Sequence, residues 1–195
     1  MTITTSPAFR HVLAALAATT LAACADGPVA GPDVRSVVTA SAEADAFTNG
    51  PLPELGTCGD LAAPAGSTLT FKVFGKGVQI YRWDGARWAF VDPDAKLYAD
   101  AEGNGLVGVH GHGPSWQTLS GSRVVGTVTH RCTPDASAIA WLRLDAVSTG
   151  SGVFEHTAFI QRLNTVGGLA PSVPGTFVGQ LANVPYTSDY LFYAK

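Results

Sequence analysis

Two imidazoles one residue apart, His110 and His112, are the first side chains in this sequence whose types and spacing can do chemistry. On an extended strand the side chains alternate between faces, so both rings point to one side. Two histidines so placed can share a metal ion. A third ligand can come from His130, His156, Asp100 or Glu102. Protein metal sites generally need about three protein ligands or more. That arrangement would make the protein a metal-dependent enzyme centred on His110 and His112. The plainer reading, adopted here, is a histidine hydrogen-bonded within a turn, ordering the corner Gly113-Pro114-Ser115-Trp116. No cofactor is then required.

The remaining polar and aromatic clusters divide in the same way. Gly103, Gly105 and Gly108 match the dinucleotide pattern G-x-G-x-x-G. That fingerprint must end a strand and open a helix, with an acid about 20 residues on. Here the glycines lead into another strand pattern, so they form a turn. Trp83, Trp88, Trp116 and Trp141, with Tyr81 and Tyr98, can build a flat stacking platform for a sugar or another planar ligand, or can simply fill a core. Arg162, Asn164 and Thr165 stand beside Gly167-Gly168 and offer polar anchors; Asp189 can pair with Arg162 in the interior. A Ser-His-Asp relay needs spatial rather than sequential neighbours, and no G-x-S-x-G elbow supports one. The ligand-binding candidates are therefore His110, Trp116, Trp83, Tyr81, Arg162 and Asn164.

These residues need a compartment and a scaffold. Arg10 precedes an apolar run that ends in Leu21-Ala22-Ala23-Cys24. The run is shorter than the roughly 20 residues that span a bilayer and fits a secretory signal. A small-residue site ending in cysteine resembles the lipobox of bacterial lipoproteins. The expectation is a signal peptide over 1–23, acylation of Cys24, and a flexible Ala/Gly/Pro/Ser tether over 24–55. Acyl chains contribute about 0.8 kcal/mol per buried methylene, so several of them hold a protein on a membrane. Ala25 follows the cysteine, where an aspartate would resemble an inner-membrane retention signal, so the lean is to the outer membrane, with plain secretion as the alternative. Cys58 and Cys132 are left as disulfide candidates in an oxidising compartment, the alternative being two separate thiols whose positions never meet. After cleavage eleven basic and fifteen acidic side chains remain, a net charge of −4. With no basic run, nucleic acid is excluded as a natural partner.

From 56 to 195 the pattern is strand and turn, in one domain. Residues 67–74 alternate, with Leu69, Phe71 and Val73 on one face. Gly75-Lys76-Gly77 reads as a break, Asp84-Gly85 as a hairpin turn, and 96–99 as a separate short strand. Leu142 and Leu144 share a face opposite Trp141, Arg143 and Asp145, and Phe154, His156, Ala158 and Ile160 fall together. The result is an all-β, antiparallel sandwich or barrel of about nine or ten short strands.

Several blocks then match a family in order: Gly77–Tyr81, Trp88 with Pro93, Ala95 and Leu97, Gly108-x-His110-x-x-Gly113-Pro114-x-Trp116, Gly121-Ser122-x-Val124, Trp141-Leu142, Ile160–Gly168 and Tyr186–Tyr193. This set resembles the domain-of-unknown-function family 3455, secreted proteins of bacteria and fungi. The resemblance implies a secreted or envelope β-domain and places His110, not His112, on the family's histidine. It also implies a different disulfide pattern, because Trp83 stands where many members carry a cysteine. It implies no reaction.

The reading reached from sequence is a cell-envelope lipoprotein whose β-domain binds a small molecule, a glycan or an envelope protein without catalysis. The rivals are the metal-dependent enzyme and a purely structural envelope protein. Intact-mass measurement of the envelope-purified protein is expected to show a chain that begins at Cys24 and carries acyl chains; an unmodified N-terminus would remove the anchor.

Overall fold

The computed structural model describes residues 52–195. The expected signal peptide, Cys24 and all but the end of the tether lie outside the described residues. Eight strands follow in chain order: β1 (Thr68–Trp83), β2 (Trp88–Tyr98), β3 (Leu106–Gly111), β4 (Ser115–Thr118), β5 (Arg123–Cys132), β6 (Trp141–Ser148), β7 (Thr157–Gly167) and β8 (Leu181–Ala194). Each pairs antiparallel with the next, and β8 returns to pair with β1, so the sheet closes into a barrel.

The strands are fewer and longer than the sequence pattern predicts, for two local reasons. Gly75 and Gly77 do not break β1; they let other chain segments approach it. A Cβ on Gly75 would lie 2.6 Å from the Tyr190 ring, and one on Gly77 would overlap the Asp94 carbonyl across the ladder. The segment 96–99 is not separate either, because Lys96 to Tyr98 end β2. A register shift opposite Ile80 and Tyr81 leaves Val91 as an extra residue, and Pro93 sits close by. Such irregularities are where a strand tolerates proline.

Turn chemistry behaves as expected. Asp84 accepts from the N–H groups of Ala86 and Arg87 at 2.9 and 2.8 Å, and Gly85 takes a φ of 102°. The segments at Gly103-Asn104-Gly105, Gly113 and Gly121 turn with positive φ at each glycine.

Alternation puts Phe71, Val73, Leu97, Val107, Trp116, Val124, Leu142, Leu144, Ile160, Tyr190 and Phe192 inside the barrel. Charged side chains such as Lys72, Lys76, Asp94 and Lys96 lie on the intervening, outward positions of β1 and β2. This is the reverse of the apolar-out, polar-in pattern of membrane-spanning barrels. Two expected groupings change. A register shift between Leu69 and Phe71 turns Leu69 to the outer face, while Phe71 and Val73 stay inside. Phe154 is not on a strand: it enters the core from the loop 149–156, where its N–H donates to the Ser122 hydroxyl at 3.0 Å. That loop closes one end of the barrel.

A second apolar cluster lies on the outer face of β6, β7 and β8. There a short 3₁₀ helix, Gly56–Leu61, brings Cys58 and Leu61 against Leu163, Leu191 and Tyr193, with Trp141 beside them. The Gln161 amide donates to the Leu61 carbonyl at 2.6 Å, the Tyr193 hydroxyl donates to Gln161 at 2.8 Å, and Arg143 donates to the carbonyls of Asp60 and Ala62. The Cys58–Cys132 disulfide pins this segment to β5.

The bridge joins residues 74 apart in sequence. Closing a loop of that length restricts the unfolded chain by about 4 kcal/mol in the chain-entropy model. Replacing both cysteines by serine is expected to lower stability by an amount of that order, read as a shift of the urea midpoint at unchanged slope.

Candidate functional site

The end of the barrel opposite Phe154 contains a cavity of about 410 Å³. Its floor is Trp116, Leu144 and Tyr190; its walls include Val128, Ile139 and Leu142; Phe90, Pro114, Arg131 and Leu169 stand at the exposed mouth. Gln79, Tyr81, His110 and Arg162 supply the polar groups. Gln79 and Tyr81 come from β1, His110 from β3 and Arg162 from β7, each pointed inward by the pleat.

His110 is buried and lies flat on Trp116, with ring centroids 4.4 Å apart and planes 7° apart, and the edge of Tyr190 meets it at 5.1 Å. Its Nδ1 is 2.9 Å from the Ser115 carbonyl, which can only accept. Neutral His110 therefore carries its proton on Nδ1 and leaves Nε2 as an acceptor. Burial holds its pKa down to about 4, against the opposing carbonyl bond, and the Arg162 charge adds to the lowering. Arg162 reaches across from β7 and donates Nε and Nη2 to the Ala140 carbonyl at 3.2 and 2.7 Å. The Tyr81 hydroxyl donates to the Gly168 carbonyl at 2.6 Å, and the Tyr186 and Tyr190 hydroxyls lie 3.1 Å apart. Burial raises the pKa of all three tyrosines, while the Arg162 charge works in the opposite direction on each. The Gln79 amide is near enough to Tyr186 to affect its hydroxyl, yet its nitrogen finds no acceptor in hydrogen-bond geometry; nor does the Trp116 indole N–H.

A profile of the family described as "Protein of unknown function (DUF3455)" matches residues 64–194. The chain belongs to this family. No curated protein and no solved structure matches it. The DUF3455 match spans every strand of the barrel, so the cavity is built from the family region itself.

Of the candidates read from sequence, the barrel brings together Tyr81, His110, Trp116 and Arg162. Trp83 stays outside the cavity. It packs on Trp88 at 5.5 Å and over Gly175, where a Cβ would come within 2.5 Å of its ring. Trp88 donates to the Val173 carbonyl, so the pair clamps the loop 168–180. Asn164 is also outside. It takes a φ of 50° at a register shift in β7 and donates to Asp189 at 2.9 Å. That bond replaces the expected Arg162–Asp189 pair. Arg162 is in register with Tyr190 rather than Asp189, so the pleat sends the two to opposite faces. The tryptophans form no common platform, because Trp141 belongs to the outer cluster.

His110 and His112 occupy different surroundings. β3 ends at Gly111, so strand alternation does not carry to His112. His112 is exposed in the turn, with Nδ1 2.7 Å from Asp92 Oδ2, and this bond is the main cause that lowers the Asp92 pKa. The Ser115 hydroxyl donates to the His112 carbonyl and not to its ring. Among the described residues no three His, Cys, Asp or Glu side chains gather as a metal group.

Sequence reasoning missed Gln79, Tyr186 and Tyr190. A signal was present for the first: Gln79 is a polar residue at an inward-facing position of a strand that also points Val73 and Tyr81 inward.

Between pH 6.5, the ordinary histidine value, and about 4, the folded protein binds fewer protons at His110 than the unfolded chain does. The contribution of neutral His110 is complete above the ordinary value and is lost as pH falls toward the depressed one. The expected loss is about 3 kcal/mol. Urea unfolding at neutral pH and near pH 4 checks this, with His110→Gln expected to flatten the difference.

Proposed function

We propose that this protein binds one small, largely apolar molecule inside its barrel without altering it chemically, and that acylated Cys24 holds it at the cell envelope. The observation that carries the reading is the cavity: about 410 Å³, walled by aliphatic and aromatic side chains, floored by Trp116 and Tyr190, and open to solvent at one end. Eight-stranded barrels have an interior of the size that side chains fill or that one small ligand occupies. Small-molecule sites run from about 300 to 1,000 Å³, mostly apolar with a few placed polar groups. The walls favour an apolar molecule over a glycan, and an interior site over a protein partner.

A purely structural role leaves the unfilled interior without a purpose, since natural cores close-pack. A metal-dependent enzyme centred on His110 and His112 is disfavoured by geometry. His110 directs Nδ1 at a backbone carbonyl, and His112 sits with Asp92 on the surface. The charged outer faces of β1 and β2 support attachment through the lipid rather than through the barrel wall.

Titration with the neutral fluorophore N-phenylnaphthylamine tests the reading. Saturable binding at one site is expected. Val128→Trp, which places a large ring in the cavity, is expected to weaken it by about tenfold, worth ~1.4 kcal/mol. Absence of saturable binding, or binding that the folded Val128→Trp protein keeps in full, overturns it.

A further inference from the structure

Charge inside the barrel is one-sided. The residues around the cavity include two arginines and no aspartate or glutamate. Arg131 is exposed at the mouth, whereas Arg162 is half-buried and acts on groups deep inside. Its charge is felt by Tyr81 on β1, His110 on β3, and Tyr186 and Tyr190 on β8. Among the described residues no carboxylate lies within ion-pair distance of it; the two acids that form ion pairs, Asp84 and Asp92, hold Arg87 and His112.

A guanidinium has five N–H donors in a planar fork. One carbonyl, that of Ala140, takes bonds from Nε and Nη2. The Tyr190 hydroxyl also takes a bond from this side chain, so two protein acceptors face five donors and the fork keeps N–H capacity for something else. Two more donors are buried without acceptors, the Gln79 amide nitrogen and the Trp116 indole N–H. A charge partly withdrawn from water gains from a partner, and a buried donor normally finds an acceptor. Both features belong to residues that line one cavity.

We infer that the molecule taken up is an organic acid, its anionic group set against Arg162 and its apolar part against the aliphatic walls. This inference rests on the interior-binding reading above and adds the chemical class of the ligand. The planar fork suits a carboxylate or a similar oxyanion, which it can meet with two parallel bonds. The walls of Val128, Leu142 and Leu144 accept the hydrocarbon part.

Anilinonaphthalene sulfonate and N-phenylnaphthylamine share one aromatic skeleton and differ by the sulfonate, so their affinities isolate the charge. The sulfonate is expected to bind about tenfold more tightly to the full-length protein. Arg162→Met is expected to bring the two probes within about threefold of each other, while Arg131→Gln keeps the preference. Displacement of N-phenylnaphthylamine from the unaltered protein by decanoate but not by methyl decanoate supports the same conclusion without any variant. Equal or weaker binding of the sulfonate, a preference that survives Arg162→Met, or one lost only in Arg131→Gln overturns the inference while leaving an interior site in place. Failure of both probes to bind overturns the interior site itself.

Discussion

The ladder between the first and last strands is the constraint on which the rest depends. It runs from Thr68 opposite Ala194 to Arg82 opposite Leu181, with one register shift between Leu69 and Phe71. Once it forms, the sheet has no free edge, and every inward position faces the same enclosed space. The seam joins residues about 100 positions apart or more, so its closure carries a loop-entropy cost that rises slowly with length. Long-range pairing of this kind belongs to slow-folding topologies. Gly75 and Gly77 lie on the seam strand, and the near overlap of a Cβ there with Tyr190 or Asp94 explains why side chains are missing from both.

Closure also sorts the interior along its axis. Toward the Phe154 end the inward residues are apolar and interlocked: Phe71, Phe154 and Phe192 meet with ring centroids 4.6–5.8 Å apart. Toward the mouth the inward positions become Gln79, Tyr81, His110 and Arg162. Trp116 and Tyr190 stand at the boundary and touch both halves, since Trp116 stacks on His110 and also meets Phe192. Polar groups withdrawn from water are expensive unless bonded. Backbone carbonyls of Ser115, at the start of β4, and of Ala140 and Gly168, in loops, accept from three of these side chains. The loops at this end therefore act as parts of the site as well as connections.

The outer clasp has a different task. Residues Tyr190 to Tyr193 are all buried, although a strand facing solvent on one side would alternate. The 3₁₀ helix covers the outer face of that strand, so both of its faces are apolar, as in strands sandwiched between layers. Gln161 and Arg143 bond the backbone of the covering segment, and the disulfide fixes its position.

The sequence by itself determined the strand class and most of the turns, because these follow from short-range rules: period-two alternation and positive φ at glycine. It named Cys58 and Cys132 as candidates for a bridge, and only the fold, which brings residues 74 apart together, decided that they pair. It also marked Tyr81, His110, Trp116 and Arg162 as residues of interest. It read Gly75 and Gly77 as a break, since a glycine that admits a neighbouring ring and one that turns the chain look alike until the neighbour is known. Trp83 and Asn164 were drawn in by type alone, and only the loop 168–180 and the register shift in β7 assigned them elsewhere. Which aromatic faces inward, which partner Arg162 meets and whether two histidines share surroundings all depend on register across strands distant in sequence. A one-residue shift of register reverses the face of every side chain beyond it, so that information exists only in the closed barrel.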